Sequence, residues 1–394
     1  MPSNQSICLS RRICLLSALF CLLAVTVRPA NSQMVVPAAE AVSDTVITAF
    51  VPAAAYASDL GLVGGLIINR FNYHPRYTPY RTFSELRLVV STRRLFDIRL
   101  LHEQTETLGH PVRSRWVLNA ERQPRDHYFG IGNDTPFDAD SWDERYYFFE
   151  IARYIAEYSG RKNFYTSRRG KLDAELILKI SHVMPEQAGS HLLALDRPRG
   201  TEGGWVNQIG AGLIWENRDS EFAATRGNRL EIKGLWAPDP VGSYPMTALS
   251  GGFRQFVSLP VPHFHPVLAG RITGSWVSGK VPFWEKPYLG DEYTLRGYPL
   301  YRFRGDASLC MNLELRTWLY EYEPLDFKFG AHVFHDRGRV FTHEDTLPEL
   351  FRSYHHTFGG GVATALFTPD FILRIDLGVS EEMYRLYMNV GYMF

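Results

Sequence analysis

Few residues in this chain have the type and spacing that chemistry requires. His263 and His265, within Pro262-His-Phe-His-Pro266, could begin a metal site. A closed zinc site needs four ligands, and no third one lies nearby. The flanking prolines make a polar turn the expected reading. Gly359–Gly361 could suggest a phosphate cradle, but the run opens a strand and no helix follows it. Such a run fits close packing or a bend in a strand. The chain has no Gly-x-Ser-x-Gly elbow and no Walker loop. No catalytic constellation, metal or cofactor is expected.

The more telling charges alternate with apolar residues. Glu314 shares a face with Asn312 and Arg316, while Met311, Leu313 and Leu315 take the other face. Asp336 shares a face with Asp326, Lys328 and His332, opposite Phe327, Phe329, Ala331 and Val333. Side chains on a strand alternate with period two. If the apolar faces meet lipid, both carboxylates point to an interior. A guanidinium held there needs such partners, because arginine forms bidentate bonds with carboxylates.

The elements that carry these residues are strands. The last eleven residues put Tyr384, Leu386, Met388, Val390, Tyr392 and Phe394 on one face, and Arg385, Tyr387, Asn389, Gly391 and Met393 on the other. An apolar face on a strand that ends the chain on an aromatic suits the closing strand of a membrane barrel, whose outside is apolar and inside polar. Alternation marks fifteen strands, near 59–70, 82–92, 95–105, 113–123, 145–158, 170–184, 204–217, 227–238, 246–259, 265–279, 306–320, 325–341, 356–367, 370–380 and 384–394. Bacterial single-chain barrels have even strand counts. A sixteenth is therefore expected at 44–57 or at Tyr128–Asn133. Tight connections (Glu321–Pro324, Thr368–Asp370) contrast with long ones (186–203, 280–305, 342–355), the asymmetry of periplasmic turns and outer loops.

The N-terminus supplies a compartment. Arg11 and Arg12 precede the apolar stretch Ile13–Val27, and Ala30-Asn-Ser32 offers small residues for cleavage. That is the layout of a secretory signal peptide over 1–32. Residues 33–58 then read as a short periplasmic lead-in, and 59–394 as the barrel. Cys8, Cys14 and Cys21 leave with the signal, so Cys310 has no intrachain partner. The 42 basic and 42 acidic residues give no basic excess of the kind nucleic acid attracts. Aromatics at 14% suit the interfacial girdles of a barrel.

Gly290-Asp-Glu-Tyr-Thr-Leu-Arg-Gly-Tyr298, then Arg302-Phe-Arg-Gly-Asp306, lead into the strand Leu309–Glu321. With Tyr128-Phe-Gly-Ile-Gly-Asn133, Val333–Phe341, Phe358-Gly-Gly-Gly361 and the closing strand, this set resembles the bacterial surface antigen superfamily, the barrel half of the BamA and TamA assembly factors. The resemblance implies an all-β transmembrane antiparallel barrel of about sixteen strands. It implies that the 280–305 loop folds into the lumen, with Arg296, Gly297 and Tyr298 as its motif and Glu314 and Asp336 as wall partners. It also implies that the face ending on Phe394 is a signal for insertion by the outer-membrane assembly machinery, after escort by periplasmic chaperones.

Assembly factors of that family carry POTRA domains, and the stretch between Ser32 and Asp59 is too short for one. The expected role is therefore help in inserting or moving polypeptide or lipid in the outer membrane of a Gram-negative bacterium, with a separate periplasmic partner or a client polypeptide. Outer-membrane lipid is the expected surround. The competing expectation is a structural or surface-exposed barrel, or a narrow pore, without a client.

Overall fold

The computed structural model describes residues 45–57, 61–77, 80–221, 223–262, 264–325, 327–365 and 372–394. Its strands are β1 (Thr45–Ala57), β2 (Gly61–Tyr73), β3 (Thr82–Ser91), β4 (Phe96–Gln104), β5 (Val112–His127), β6 (Phe148–Ser167), β7 (Gly170–Pro185), β8 (Gly204–Glu216) and β9 (Gly227–Ala237). They continue as β10 (Met246–Ser258), β11 (Val267–Gly279), β12 (Tyr288–Leu289), β13 (Phe303–Arg304), β14 (Ala307–Tyr322), β15 (Phe327–Phe341), β16 (His355–Ala365), β17 (Ile372–Val379) and β18 (Tyr384–Val390). All but β12 and β13 form one 16-stranded sheet in chain order. β12 and β13 pair with each other inside the long loop between β11 and β14.

Each strand pairs antiparallel with the next, which satisfies the backbone of the strands between β1 and β18 within the sheet. Lipid demands this, because it offers no hydrogen bonds of its own. The wall curls into a barrel: Arg113 at the start of β5 comes within 3.7 Å of Glu221 in the β8–β9 turn. The alternating pattern sets the facing. Leu313, Leu315, Val333, Phe358, Leu377 and Val379 are exposed on the outside, whereas Glu314, Asp336 and Asp376 are fully buried inside. Connections at one end are long and structured, and those at the other are mostly short.

Three sequence expectations need correction. The barrel begins inside the expected periplasmic lead-in: of the two places expected for a sixteenth strand, 44–57 holds it as β1, which fills half of 33–58 and pairs with β2 from Thr45↔Tyr73 to Ala57↔Gly61. Its apolar residues are interrupted by Pro52 and a run of alanines, so alternation was weak there. Tyr128–Asn133 is not a strand but the start of the β5–β6 loop, with Tyr128 and Phe129 buried. The closing strand stops at Val390 rather than Phe394. Gly391 takes a φ of +83°, a conformation that suits glycine, and the last residues turn inward. The signal segment 1–32, His263, Asp326, Phe371 and the turn Thr368–Asp370 lie outside the described residues.

Candidate functional site: a loop fastened inside the barrel

The loop between β11 and β14 does not stand out in solvent. It enters the barrel, and its side chains hold it there. The Leu289, Leu295, Tyr298, Phe303, Cys310 and Val340 side chains form an apolar cluster that seats the loop against β14 and β15. Cys310 is a free, buried thiol within it.

Arg296 lies at the centre and is fully buried. Its Nε donates to Asp336 Oδ2 at 2.8 Å and its Nη2 to Asp336 Oδ1 at 2.7 Å, a side-on bidentate pair. Nη1 donates to Glu314 Oε1 at 2.5 Å and lies 3.4 Å from Asp376 Oδ2. The Arg296 backbone N–H also donates to Asp336, at 3.2 Å. One guanidinium thus ties the loop to β14, β15 and β17. Glu314 and Asp336 are the wall partners that the resemblance implies for Arg296, and Asp376 is a third that it does not name.

A second set of contacts holds the carboxylates themselves. Arg316 Nε donates to Glu314 Oε2 at 2.7 Å. His332 Nε2 lies 2.8 Å from Asp376 Oδ1, and Asn312 Nδ2 donates to Asp336 Oδ1 at 2.9 Å. Register explains the grouping, since Asn312 is opposite Asp336 and Arg316 is opposite His332. Buried charges are costly unless paired and hydrogen-bonded, and here each carboxylate has more than one partner.

Space for this cluster comes from missing side chains. The Arg296 guanidinium stacks on Phe334, 3.3 Å from the ring centroid. A Cβ on Gly359 would overlap that ring and the Leu377 carbonyl. Gly359–Gly361 therefore serves close packing, as its place in a strand suggested. Gly297 has a φ of +108°, and a Cβ there would come within 2.9 Å of the Val379 backbone. The triplet Arg296-Gly297-Tyr298 so lies directly on the wall. Tyr387 of β18 receives the Gly297 N–H at 3.0 Å, and Ser380 Oγ donates to the Gly297 carbonyl at 3.1 Å.

Arg302, the first residue of Arg302-Phe-Arg-Gly-Asp306, is a further anchor. Its Nε donates to Glu382 Oε2 at 2.7 Å, in the β17–β18 turn. Its Nη1 and Nη2 donate to Thr135 Oγ1 and the Thr135 carbonyl, at 2.7 and 2.6 Å, in the β5–β6 loop. Asn133 donates to the Ser353 carbonyl and accepts from the Val340 N–H, drawing in the β15–β16 loop. The outer loops are thus knitted over the barrel. At the root of the lumen loop, Lys286 Nζ lies 2.5 Å from Asp306 Oδ1. Burial works against the Asp306 charge, but the bonds from Lys286 and His343 outweigh it and hold the carboxyl below its usual range.

The closing strand divides. Tyr384, Leu386 and Met388 face outward and are well exposed. Tyr392 and Phe394 do not continue that face. Tyr392 lies beneath the Arg316 guanidinium, 4.1 Å from it, and Phe394 is buried with Phe256, Ala224, Ala269 and Met393. His265 sits in the β10–β11 turn with a positive φ of 39°.

No curated protein matches the chain in sequence. Among solved structures, the chain is similar to BamA from Haemophilus ducreyi lacking POTRA domains 1–3, at a TM-score of 0.55 and 13% identity, over 89% of this chain and 70% of that one. It is similar to CdiB from Acinetobacter baumannii (TM-score 0.56, 12% identity, 90% and 61% covered). CdiB from Escherichia coli gives a TM-score of 0.58 at 10% identity, with 90% and 63% covered. At such identities the likeness is one of fold, and this chain spans less than two thirds of either CdiB. The model of the Omp85 superfamily domain matches residues 99–394, from within β4 to the last residue, so that this outer-membrane β-barrel belongs to the Omp85 superfamily.

Proposed function

We propose that this barrel assists the insertion or translocation of polypeptide or lipid at the outer membrane of a Gram-negative bacterium. On this reading it is a transport or assembly protein and not an enzyme. The observation that carries the reading is the fastening of the lumen loop by Arg296 to β14, β15 and β17. The loop is held by side-chain bonds and an apolar seat rather than by a ladder to the wall. It can be displaced without unzipping the sheet, which a passage for a client requires.

In this proposal residues 1–32 export the chain, and the apolar face of Tyr384, Leu386, Met388, Val390, Tyr392 and Phe394 is read by the assembly machinery before the barrel closes. The fold buries Phe394, so any recognition of that residue precedes folding. The partner would be a separate periplasmic protein or the client itself. The rival reading is a structural barrel without a client. Comparing the outer-membrane proteome with and without this protein separates the two. Broad loss of other outer-membrane proteins is expected, and an unchanged profile would overturn the proposal.

A further inference from the structure

The outer surface of the barrel carries a basic patch at its long-loop end. On β15, His335 and Arg337 follow Val333 on the outward face, and Val333 is 59% exposed. On β16, His356 precedes Phe358 on that face, and Phe358 is 60% exposed. Arg337 is directly opposite His356, and His335 is opposite Phe358. The three basic side chains therefore form one cluster on the lipid side.

Its internal contacts hold it in place. His335 Nε2 lies 3.0 Å from His356 Nδ1, which leaves the other nitrogen of each ring outside that bond. The His335 ring stacks on Phe358 at 4.5 Å, and the Arg337 guanidinium lies 4.4 Å from the Tyr354 ring. Arg337 Nε has no hydrogen-bond partner. Among the described residues, none of the three forms an ion pair with a carboxylate.

The contrast with Arg122 is informative. Arg122 also faces outward toward the long-loop end, but its Nε donates to Glu150 Oε1 at 2.7 Å. A lipid-facing arginine with a carboxylate beside it needs nothing more. Arg337 has none, and directly opposed basic side chains destabilise a sheet unless something neutralises them.

Height decides what that is. Phe358 pairs with Val379, the last residue of β17. His356 and Arg337 lie beyond that pair, level with the turn that ends the neighbouring hairpin. This is the rim of the barrel rather than its middle. At the rim a cation costs little and meets lipid headgroups. We propose that His335, Arg337 and His356 bind the phosphate of an anionic lipid headgroup in the leaflet at the long-loop end. The headgroup oxygens would accept from Arg337 and from the outer N–H of whichever imidazole accepts in the His335–His356 bond, while Phe358 and Val333 meet the acyl chains.

The test is native mass spectrometry of the full barrel in detergent. The probes are phosphatidic acid, phosphatidylcholine and inorganic phosphate. Phosphatidic acid should be retained in preference to phosphatidylcholine, and inorganic phosphate should not displace it. Arg337→Gln should lower retention about fivefold, as expected for one arginine at an anionic membrane surface, and His356→Gln should lower it by less. Arg122→Gln should leave it unchanged. Equal retention of the two lipids by the wild type would overturn the proposal even where a variant fails to fold. So would undiminished retention by a folded Arg337→Gln, His356→Gln double variant. Displacement by inorganic phosphate would make this a free-anion site and overturn the lipid assignment.

Discussion

Phe394, the last residue, is fastened to Arg316: Arg316 Nη2 donates to the Phe394 carbonyl at 3.1 Å and the guanidinium lies 4.9 Å from its ring. Because Arg316 also holds Glu314, the C-terminus is joined to the charge cluster that fixes the lumen loop. Replacing Phe394 by Ala should cost about 3–5 kcal/mol, the usual range for a buried aromatic. Arg316→Ala should cost a similar 3–5 kcal/mol, because it strips a partner from a buried carboxylate. Residues in one network do not act independently. The double variant should therefore lose less than the sum in the unfolding of the refolded barrel, and strict additivity would show that no such link exists.

Arg296 has the largest predicted effect. Arg296→Ala leaves Glu314, Asp336 and Asp376 buried with a partner lost, which costs about 3–5 kcal/mol. Limited proteolysis from outside should then cut within 290–305, which the wild type protects. Glu314→Ala, Asp336→Ala and Asp376→Ala should act in the same direction. Arg296→Lys should rescue poorly, because an ammonium cannot reproduce the forked contact with Asp336 or the flat stack on Phe334. Wild-type protection in all four alanine variants would mean that the apolar seat alone holds the loop.

What the sequence made legible was periodic. Inward and outward faces of β14 and β15 follow from alternation, which puts Glu314 and Asp336 inside; Arg296 as their partner is what the family resemblance implies. Residues that break the period were harder to place. Phe334 is an aromatic on a polar face, and its reason, the stack under Arg296, is visible only once β16 lies beside it. The inward turn at Gly391 is set by one backbone angle, so alternation carried the strand on to Phe394. Arg302 bonds residues 167 and 80 positions away, a pairing that no local pattern encodes.

Gly359→Ala tests the packing of the cluster. The added methyl would meet the Phe334 ring and the Leu377 carbonyl, and overpacking of this kind costs about 1–3 kcal/mol. Phe334→Leu should relieve the ring contact while removing the surface on which Arg296 stacks. Thermal unfolding of the double variant should recover only part of the loss. Full recovery would mean that the stack contributes nothing.

Facing can be tested where charge is free to be accommodated. Arg374 and Asp376 are poor lumen controls, since both are buried among other charges. Leu249 and Ser250 are better neighbours. Leu249 is exposed on the outside, and Ser250 is an exposed inward residue opposite Lys233 and Ser275. Leu249→Arg should cost up to about 2–4 kcal/mol, depending on depth in the bilayer. Ser250→Arg should be tolerated in the folded yield from lipid vesicles. Equal losses at the two positions would contradict the facing of β10.

The root of the lumen loop should respond to acid through Asp306. Its carboxyl is held below the usual value, so the folded state prefers it charged. A depressed carboxyl lends stability that is fully present above the unfolded value of about 3.9 and disappears as the pH falls through the folded value. Protection of the 280–306 loop should therefore be constant from neutral pH down to about pH 4, then weaken below it. Asp306→Asn removes the titrating group and the charge that Lys286 answers. Its loop should be looser at neutral pH and should lose this part of the acid response. Deuterium exchange of the loop across the pH series, corrected for intrinsic rates, measures both effects. A wild-type loop whose protection is flat through pH 3, or an Asn variant that still shows the full acid loss, would remove Asp306 and Lys286 from the account of how the loop is anchored.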